Sequence, residues 1–234
     1  MISCDTCLVR NRAICSVLDP DELGALSHIG RNITLEKGQT LIWEGDESLT
    51  VANIQSGVFK LTSSLDDGRE QIISIAYPAD FVGRPFGKKS EYTVTALSDA
   101  KLCLFSRADF DRFAREHPDM EHKLLEKTLE ELDRARRWML LLGRKTAPER
   151  VASFLLEMSN KLGGSGCNTV GVQLQAFELP FGRQQIADIL GLTIETVSRQ
   201  LTQFKKNDLI ELPDRRHIRI KNVDRLELLS EAAA

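Results

Sequence analysis

The sequence predicts an α+β chain: a small β-sandwich or barrel, then a long helix, then a helix-turn-helix unit. Three patterns carry this expectation. Short apolar or alternating runs, punctuated by Gly38, Gly45, Gly57, Gly68 and Gly83, fill Ile33 to Phe105, as they do in small all-β folds. A three-four apolar spacing then runs from Leu125 to Leu142, and two short amphipathic segments meet at Gly191. The 234 residues, 42% of them hydrophobic, can bury a proper core and suggest one or two domains. No uninterrupted apolar run in the chain approaches the ~20 residues needed to cross a bilayer, so a membrane-spanning protein is not expected.

In chain order, Leu18, Leu23, Leu26 and Ile29 have near-helical spacing, and Asp19 before Pro20 reads as a helix cap. Val51–Ile54 and Val58–Leu61 flank a Gly57 turn, and Ile72–Ile75, Tyr92–Leu97 and Lys101–Phe105 continue the strands. Ser106, with Asp109 three residues on, reads as the cap of a helix whose Phe110 and Phe113 face a core, and Pro118 restarts the helix. Leu125, Thr128, Leu132, Ala135, Met139 and Leu142 then step at heptad spacing, a seam expected to join two copies of the chain. Leu124, Leu129, Leu140 and Leu141 offer a second apolar side for packing on the chain's own domain. Gly143 to Pro148 reads as a hinge, with Thr146 capping the next helix. Val151, Phe154, Leu155 and Met158 give that helix its apolar face.

Cys4, Cys7 and Cys15 crowd the first fifteen residues, and Cys103 lies in an expected strand. The chain shows no charged-then-apolar leader, and its five cysteines make an odd number, so a reducing, cytoplasmic setting is expected rather than a secreted disulfide scaffold. Grouped cysteines there are more often metal ligands or redox groups. Four thiolates can hold one metal centre, and both zinc and an iron-sulfur cluster accept an all-sulfur set. Cys167, in a glycine-rich loop, reads as an incidental thiol. A dithiol enzyme built on Cys4-Asp5-Thr6-Cys7 is discounted because no βαβ pattern surrounds the pair. His28, His117, His122 and His217 are scattered without ligand or triad spacing and read as surface residues, so no enzyme is expected.

The segment from Phe181 to Lys206 is the most informative after the cysteines. Ile186, Ile189 and Leu190 form one apolar face, Gly191 permits a tight turn, and Thr193 caps a second helix that points Val197, Leu201 and Phe204 inward. Glu195, Ser198, Arg199 and Thr202 then project to solvent, where a recognition helix presents side chains to base edges. Arg bonds guanine bidentately and Glu accepts from the cytosine amino group. The net charge is −3, yet Pro180 to Lys221 carries eight Lys or Arg against five acids, so a nucleic-acid surface is expected to be local. Arg183 before the first helix, and Arg215, Arg216 and Arg219 around an expected hairpin, are placed for the phosphates of double-stranded DNA.

On these residues the chain resembles, over nearly its whole length, the CRP/FNR family of bacterial transcription regulators, and within it the FNR-type oxygen-sensing iron-sulfur subgroup. Leu192-Thr193-Ile194-Glu195-Thr196-Val197-Ser198-Arg199 is similar to that subgroup's Glu-x-x-Ser-Arg recognition helix. The cyclic-AMP receptor subgroup has Arg before the Glu and Gly in place of the Ser; here those places hold Ile194 and Ser198. The resemblance implies a cysteine-rich cluster-binding segment at 1–18, a jelly-roll β-barrel sensory domain related to cyclic-nucleotide-binding modules at 19–116, a dimerisation helix at 117–143 and a winged helix-turn-helix domain at 147–234. It further implies that Cys4, Cys7, Cys15 and Cys103 hold a [4Fe-4S] cluster, and that the intact cluster favours a homodimer. In that dimer Glu195, Ser198 and Arg199, with Thr193, Arg183 and Arg216 beside them, would bind TTGAT inverted repeats. Oxygen is then the sensed molecule and RNA polymerase the partner, touched through loops such as Gly83 to Lys89. Seven residues separate Cys7 from Cys15, more than in the best-known members, a longer loop expected to change cluster exposure and oxygen sensitivity rather than ligand identity; the N-terminal segment is expected to be floppy, with the cluster pinning it to the barrel at Cys103. The alternative is a CRP-like regulator of a nucleotide or other small ligand, with structural zinc on the cysteines. Against it, Phe81 to Gly87 offers glycine without the Glu of the family's phosphate cradle, and Arg84 lacks the required spacing.

Overall fold

The computed structural model describes residue 4 and residues 7–162 and 175–231; Cys167, Asp5 and Thr6 lie outside them. The chain divides into two compact units, Met1–Ala135 and Arg136–Ala234.

Unit 1 begins with turns and a short 3-10 segment, Ile14–Val17. Helix α1, Pro20–Ile29, starts on the expected residue: the Glu22 N–H donates to Asp19 Oδ1 at 2.8 Å and the Asp19 N–H to Glu22 Oε2 at 3.0 Å. This reciprocal pair satisfies two N–H groups that the helix start would otherwise orphan. Eight strands follow: β1 Gly30–Leu35, β2 Thr40–Ile42, β3 Thr50–Ser56, β4 Phe59–Ser64, β5 Glu70–Ala76, β6 Phe81–Gly83, β7 Thr93–Ala96 and β8 Ala100–Ser106. They make two four-stranded sheets, ordered β1-β8-β3-β6 and β2-β7-β4-β5. Strands β3 and β4 flank Gly57 as expected but do not pair, since the chain passes there from one sheet to the other. Gly57 has φ 91°, and a Cβ on it would stand 2.5 Å from the Ala100 Cβ, so no larger residue fits that crossing.

Alternation along the strands divides the apolar residues between two cores. Ala52, Ile54, Phe59, Leu61, Val94, Leu102 and Leu104 share one cluster. The opposite face of β3 and β8 turns Val51, Cys103 and Phe105 into a second cluster with Leu23 and Leu26 of α1, Phe110 and Phe113 of helix α2 (Arg107–Glu116), and Met120 and Leu124 of helix α3 (Pro118–Arg144). Cys103 therefore sits in the core that joins the sheet to the start of α3.

Two expectations change here. Ser106 stands at the start of α2 but its hydroxyl caps nothing; the Arg107 N–H donates to the Leu49 carbonyl at 2.9 Å instead. His117 is not a surface residue: its ring stacks on Phe113 at 3.8 Å and Nδ1 lies 2.7 Å from the Phe113 carbonyl, so it closes the end of α2. His28, His122 and His217 are exposed.

Unit 2 contains the end of α3, helix α4 (Ala147–Leu162), strand β9 (Gln175–Glu178), helices α5 (Arg183–Leu190) and α6 (Ile194–Lys206), strands β10 (Ile210–Glu211) and β11 (His217–Ile220), and helix α7 (Val223–Glu231). Helix α3 runs on through Gly143, so the break before α4 is only Lys145 and Thr146, narrower than the hinge expected at 143–148. Val151, Phe154, Leu155 and Met158 of α4 are fully buried. The three strands pair in the order β10-β11-β9, which completes a winged helix-turn-helix. No helix among the described residues is long and apolar enough to cross a membrane.

Candidate thiol centre and nucleic-acid interface

From Cys7 onward the N-terminal segment is folded rather than floppy. The Arg12 and Ala13 N–H groups both donate to the Val9 carbonyl at 3.0 Å, and the Cys7 N–H donates to the Cys4 carbonyl at 3.3 Å. Val9, Ala13 and Ile14 are buried almost completely, and that apolar burial holds the long gap between Cys7 and Cys15 against unit 1. Cys7 and Cys15 pack with Val9, Ala13 and Ala79. Cys4 and Cys15 pack against the cluster that contains Cys103.

Among the described residues none of the four cysteines is joined in a disulfide. Burial pushes the Cys15 thiol up to about 11, and the Cys7 and Cys4 sulfurs add repulsion. Burial likewise pushes Cys103 up to about 12; a hydrogen bond from Gln55 opposes this, while Cys7, Cys4 and Cys15 reinforce it. The four sulfurs thus lie close enough to feel one another's charge. Without a metal the Cys15 and Cys103 thiols stay protonated at neutral pH, and a cation that displaces their protons removes the repulsion.

Among the described residues, no group of three or more His, Cys, Asp or Glu stands at the spacing of a single metal ion. Zinc, with Zn–S bonds of about 2.3 Å, draws all four sulfurs around one atom, whereas a cubane offers each sulfur its own iron and accepts a wider set. The donors are all thiols, the class that suits an iron-sulfur centre. Asn53, in register with Cys103, keeps a buried Oδ1 with no hydrogen-bond partner among the described residues. The residues present fit a cluster.

The stretch compared above with a phosphate cradle is filled by its own side chains. Arg84 pairs with Glu91 at 3.3 Å, and the Phe86 N–H, at φ 58°, donates to Asp111 at 3.1 Å. A cleft on the other sheet, lined by Trp43, Glu44, Lys60 and Glu70 among others, sets two carboxylates against one ammonium, the wrong balance for a cyclic phosphate.

In unit 2 the two helices of the motif form as the sequence predicts. Gly191 takes the left-handed conformation at φ 60° and ψ 41°, which ends α5 and lets the chain turn. The Thr193 hydroxyl accepts the Thr196 N–H at 3.3 Å and so starts α6. Val197, Leu201 and Phe204 are buried, and Gln200 joins them. Glu195, Ser198, Arg199 and Thr202 are exposed. Backbone N–H donation at the helix start and the Thr193 hydroxyl hold the Glu195 carboxyl below the usual range, so it is ionised and accepts only. Arg216 is exposed in the β10–β11 hairpin. Arg183 is half-buried, and its Nη1 is enclosed with no hydrogen-bond partner among the described residues, so contact with a phosphate requires that side chain to turn outward.

Two residues carry structural weight that sequence reasoning missed. Arg150 donates from Nε to the Lys145 carbonyl at 2.9 Å, from Nη2 to the Leu142 carbonyl at 2.8 Å and from Nη1 to the Leu190 carbonyl at 2.9 Å. It ties the end of α3 to the end of α5. Asp214 accepts the Arg216 and His217 N–H groups at 2.8 Å each, and these bonds with the His217 ring bring its carboxyl down to about 2. It shapes the hairpin tip. An Asp in a turn was a legible signal; three carbonyls around one Arg were not.

Along α3 the seam is open in the single chain: Leu125, Leu132 and Met139 are 53%, 42% and 73% exposed, Thr128 and Ala135 are exposed, and Leu142 is half-buried. The second apolar side is covered only at its ends, by burial of Leu124 and Leu141, while Leu129 and Leu140 remain exposed.

Residues 32–117 match the model of the cyclic nucleotide-binding domain, and residues 149–229 match that of the Crp-like helix-turn-helix domain. The chain is 41% identical over 223 residues to the transcriptional activator protein FnrL of Cereibacter sphaeroides, covering 95% of this chain and 90% of that protein. It is 38% identical to the nitrogen fixation regulation protein FixK of Bradyrhizobium diazoefficiens, covering 89% and 86%. The solved structure of FixK2 from Bradyrhizobium japonicum superposes with a TM-score of 0.79 at 34% identity, covering 88% of this chain and all of that one.

Proposed function

Because this chain belongs to the CRP/FNR family of transcription regulators, we propose that it is an oxygen-responsive member, cytoplasmic and homodimeric, whose [4Fe-4S] cluster on Cys4, Cys7, Cys15 and Cys103 governs binding to TTGAT inverted repeats. The coarser parts need no proposal: the helix-turn-helix domain binds DNA, the protein regulates gene expression, and it is not an enzyme. The finer reading is carried by one observation, the gathering of Cys4, Cys15 and Cys103 around the same core as Met120 and Leu124 of α3.

When bound, the cluster supplies four iron-thiolate bonds and a centre that dioxygen attacks. The chain does the rest. Cys4, Cys7 and Cys15 would hold the N-terminal segment onto Cys103 through the cluster, and through that core they would fix the first turns of α3. A fixed α3 presents Leu125, Leu132 and Met139 to a second copy, and the dimer sets two α6 helices on the two half-sites. Coupling of a few kcal/mol suffices to move such an equilibrium substantially. RNA polymerase is the partner through which bound dimer changes transcription.

Replacement of Cys103 tests the reading. Cys103→Ser is expected to abolish anaerobic binding to the inverted repeat and to lower iron content; undiminished binding with full iron would remove the cluster assignment.

A further inference from the structure

Cys103 lies on β8 with an amide side chain in register on each side, Asn32 on β1 and Asn53 on β3. A third amide reaches it from a bulge. On the β3–β8 ladder Ile54 faces Leu102 and Ser56 faces Lys101, so Gln55 has no partner of its own. A bulge frees a side chain from the regular pleat and re-aims it. Here it carries the Gln55 amide over the thiol, with Nε2 2.7 Å from Cys103 Sγ and 2.7 Å from Asn32 Oδ1.

The two contacts determine which end of the amide faces sulfur. Asn32 Oδ1 can only accept, so it takes one N–H of Gln55 and leaves the other aimed at Cys103. The Cys103 thiol can itself donate weakly to Asn32 Oδ1, at 3.9 Å. A metal-bound thiolate has no proton to give, and Asn32 is then left to Gln55 alone. Loading the centre thus strengthens the arrangement that points a donor at the ligand sulfur. Hydrogen bonds to cluster sulfurs stabilise the more reduced, more negative state and are one of the protein's means of setting potential.

We infer that Gln55 is a positioning residue of the thiol centre: fixed by Asn32, its amide donates to the Cys103 sulfur and raises the reduction potential of the cluster. This rests on the cluster reading above. A role confined to stitching β1 and β3 together would alter stability and leave the potential alone.

The test uses the full chain reconstituted anaerobically with ferrous iron and sulfide, as wild type, Gln55→Leu and Gln55→Glu. Iron and sulfide content, unfolding midpoint and one-electron midpoint potential, titrated with dithionite and mediators, are read for each. Gln55→Leu removes the donor at similar volume; Gln55→Glu replaces it with an acceptor and a negative charge. Both are expected to hold full clusters and to lower the midpoint potential, Gln55→Leu by the equivalent of about fivefold in the reduction equilibrium and Gln55→Glu by at least as much. Full clusters at the wild-type potential in either variant overturn the inference while leaving the cluster intact. A wild-type protein that takes up neither iron nor sulfide overturns the cluster reading and this role together.

Discussion

Glu195, Ser198 and Arg199 share the exposed face of α6 while Val197, Leu201 and Phe204 anchor the other, so substitutions on the exposed face leave the helix in place and change only what it reads. Glu195→Ala and Arg199→Ala should each relax base preference by about 1 to 3 kcal/mol. Arg216→Ala, at the hairpin, should weaken all sequences alike. Equal losses on TTGAT and scrambled duplexes, measured by fluorescence anisotropy, would remove the readout roles of Glu195 and Arg199. Arg150 acts differently, because its three charge-assisted bonds satisfy carbonyls at two helix ends. Arg150→Met keeps the stem and loses those bonds, so it should cost about 2 to 3 kcal/mol of unit 2 stability, visible as a lower urea midpoint followed by Trp138. An unchanged midpoint would show that solvent satisfies those carbonyls equally well.

At the scale of elements, local chemistry and alternation were legible and long-range pairing was not. Asp19 before Pro20, Gly191 and Thr193 each place a helix end through bonds within a few residues. Strands β5, β7 and β8 declare themselves by apolar runs. The partition of β3 and β4 into different sheets depends on what Gly57 meets at Ala100, a contact that no local pattern encodes. Of the candidate thiol centre, the four cysteines proposed to hold it stood out because cysteine is sparse and grouped. The packing of Val9 and Ala13 on Ala79, which folds the long Cys7–Cys15 gap, did not, because Leu8, Val9, Ala13 and Ile14 in a seven-residue gap are too short a run to set a period, and exposed Leu8 breaks any rule from hydrophobicity alone. The amide of Gln55 over Cys103 was equally hidden, since it arises from a bulge. The heptad on α3 was plain in sequence, and its exposed Leu125, Leu132 and Met139 give it a physical task. Ala135→Asp should weaken dimerisation by setting like charges against each other at the seam. Sedimentation equilibrium giving the wild-type dissociation constant would remove α3 as the interface.

Across the whole molecule, the proposed function engages a folded N-terminal segment, a core shared by three cysteines with the first turns of α3, and the second helix of the helix-turn-helix in the second unit. The proposed sequence of effects depends on the first of these. If Cys4, Cys7, Cys15 and Cys103 hold a cluster, oxygen acts on the tether between segment and sheet, and the effect reaches DNA through dimerisation. If they do not, the DNA-binding domain stands and the sensor has another chemistry. The direct measurement is iron and acid-labile sulfide in anaerobically purified protein, with binding to a TTGAT inverted-repeat duplex assayed before and after exposure to air. The account predicts about four irons and four sulfides per chain and tight binding that air removes. Iron-free protein that binds the duplex equally well in air would contradict it.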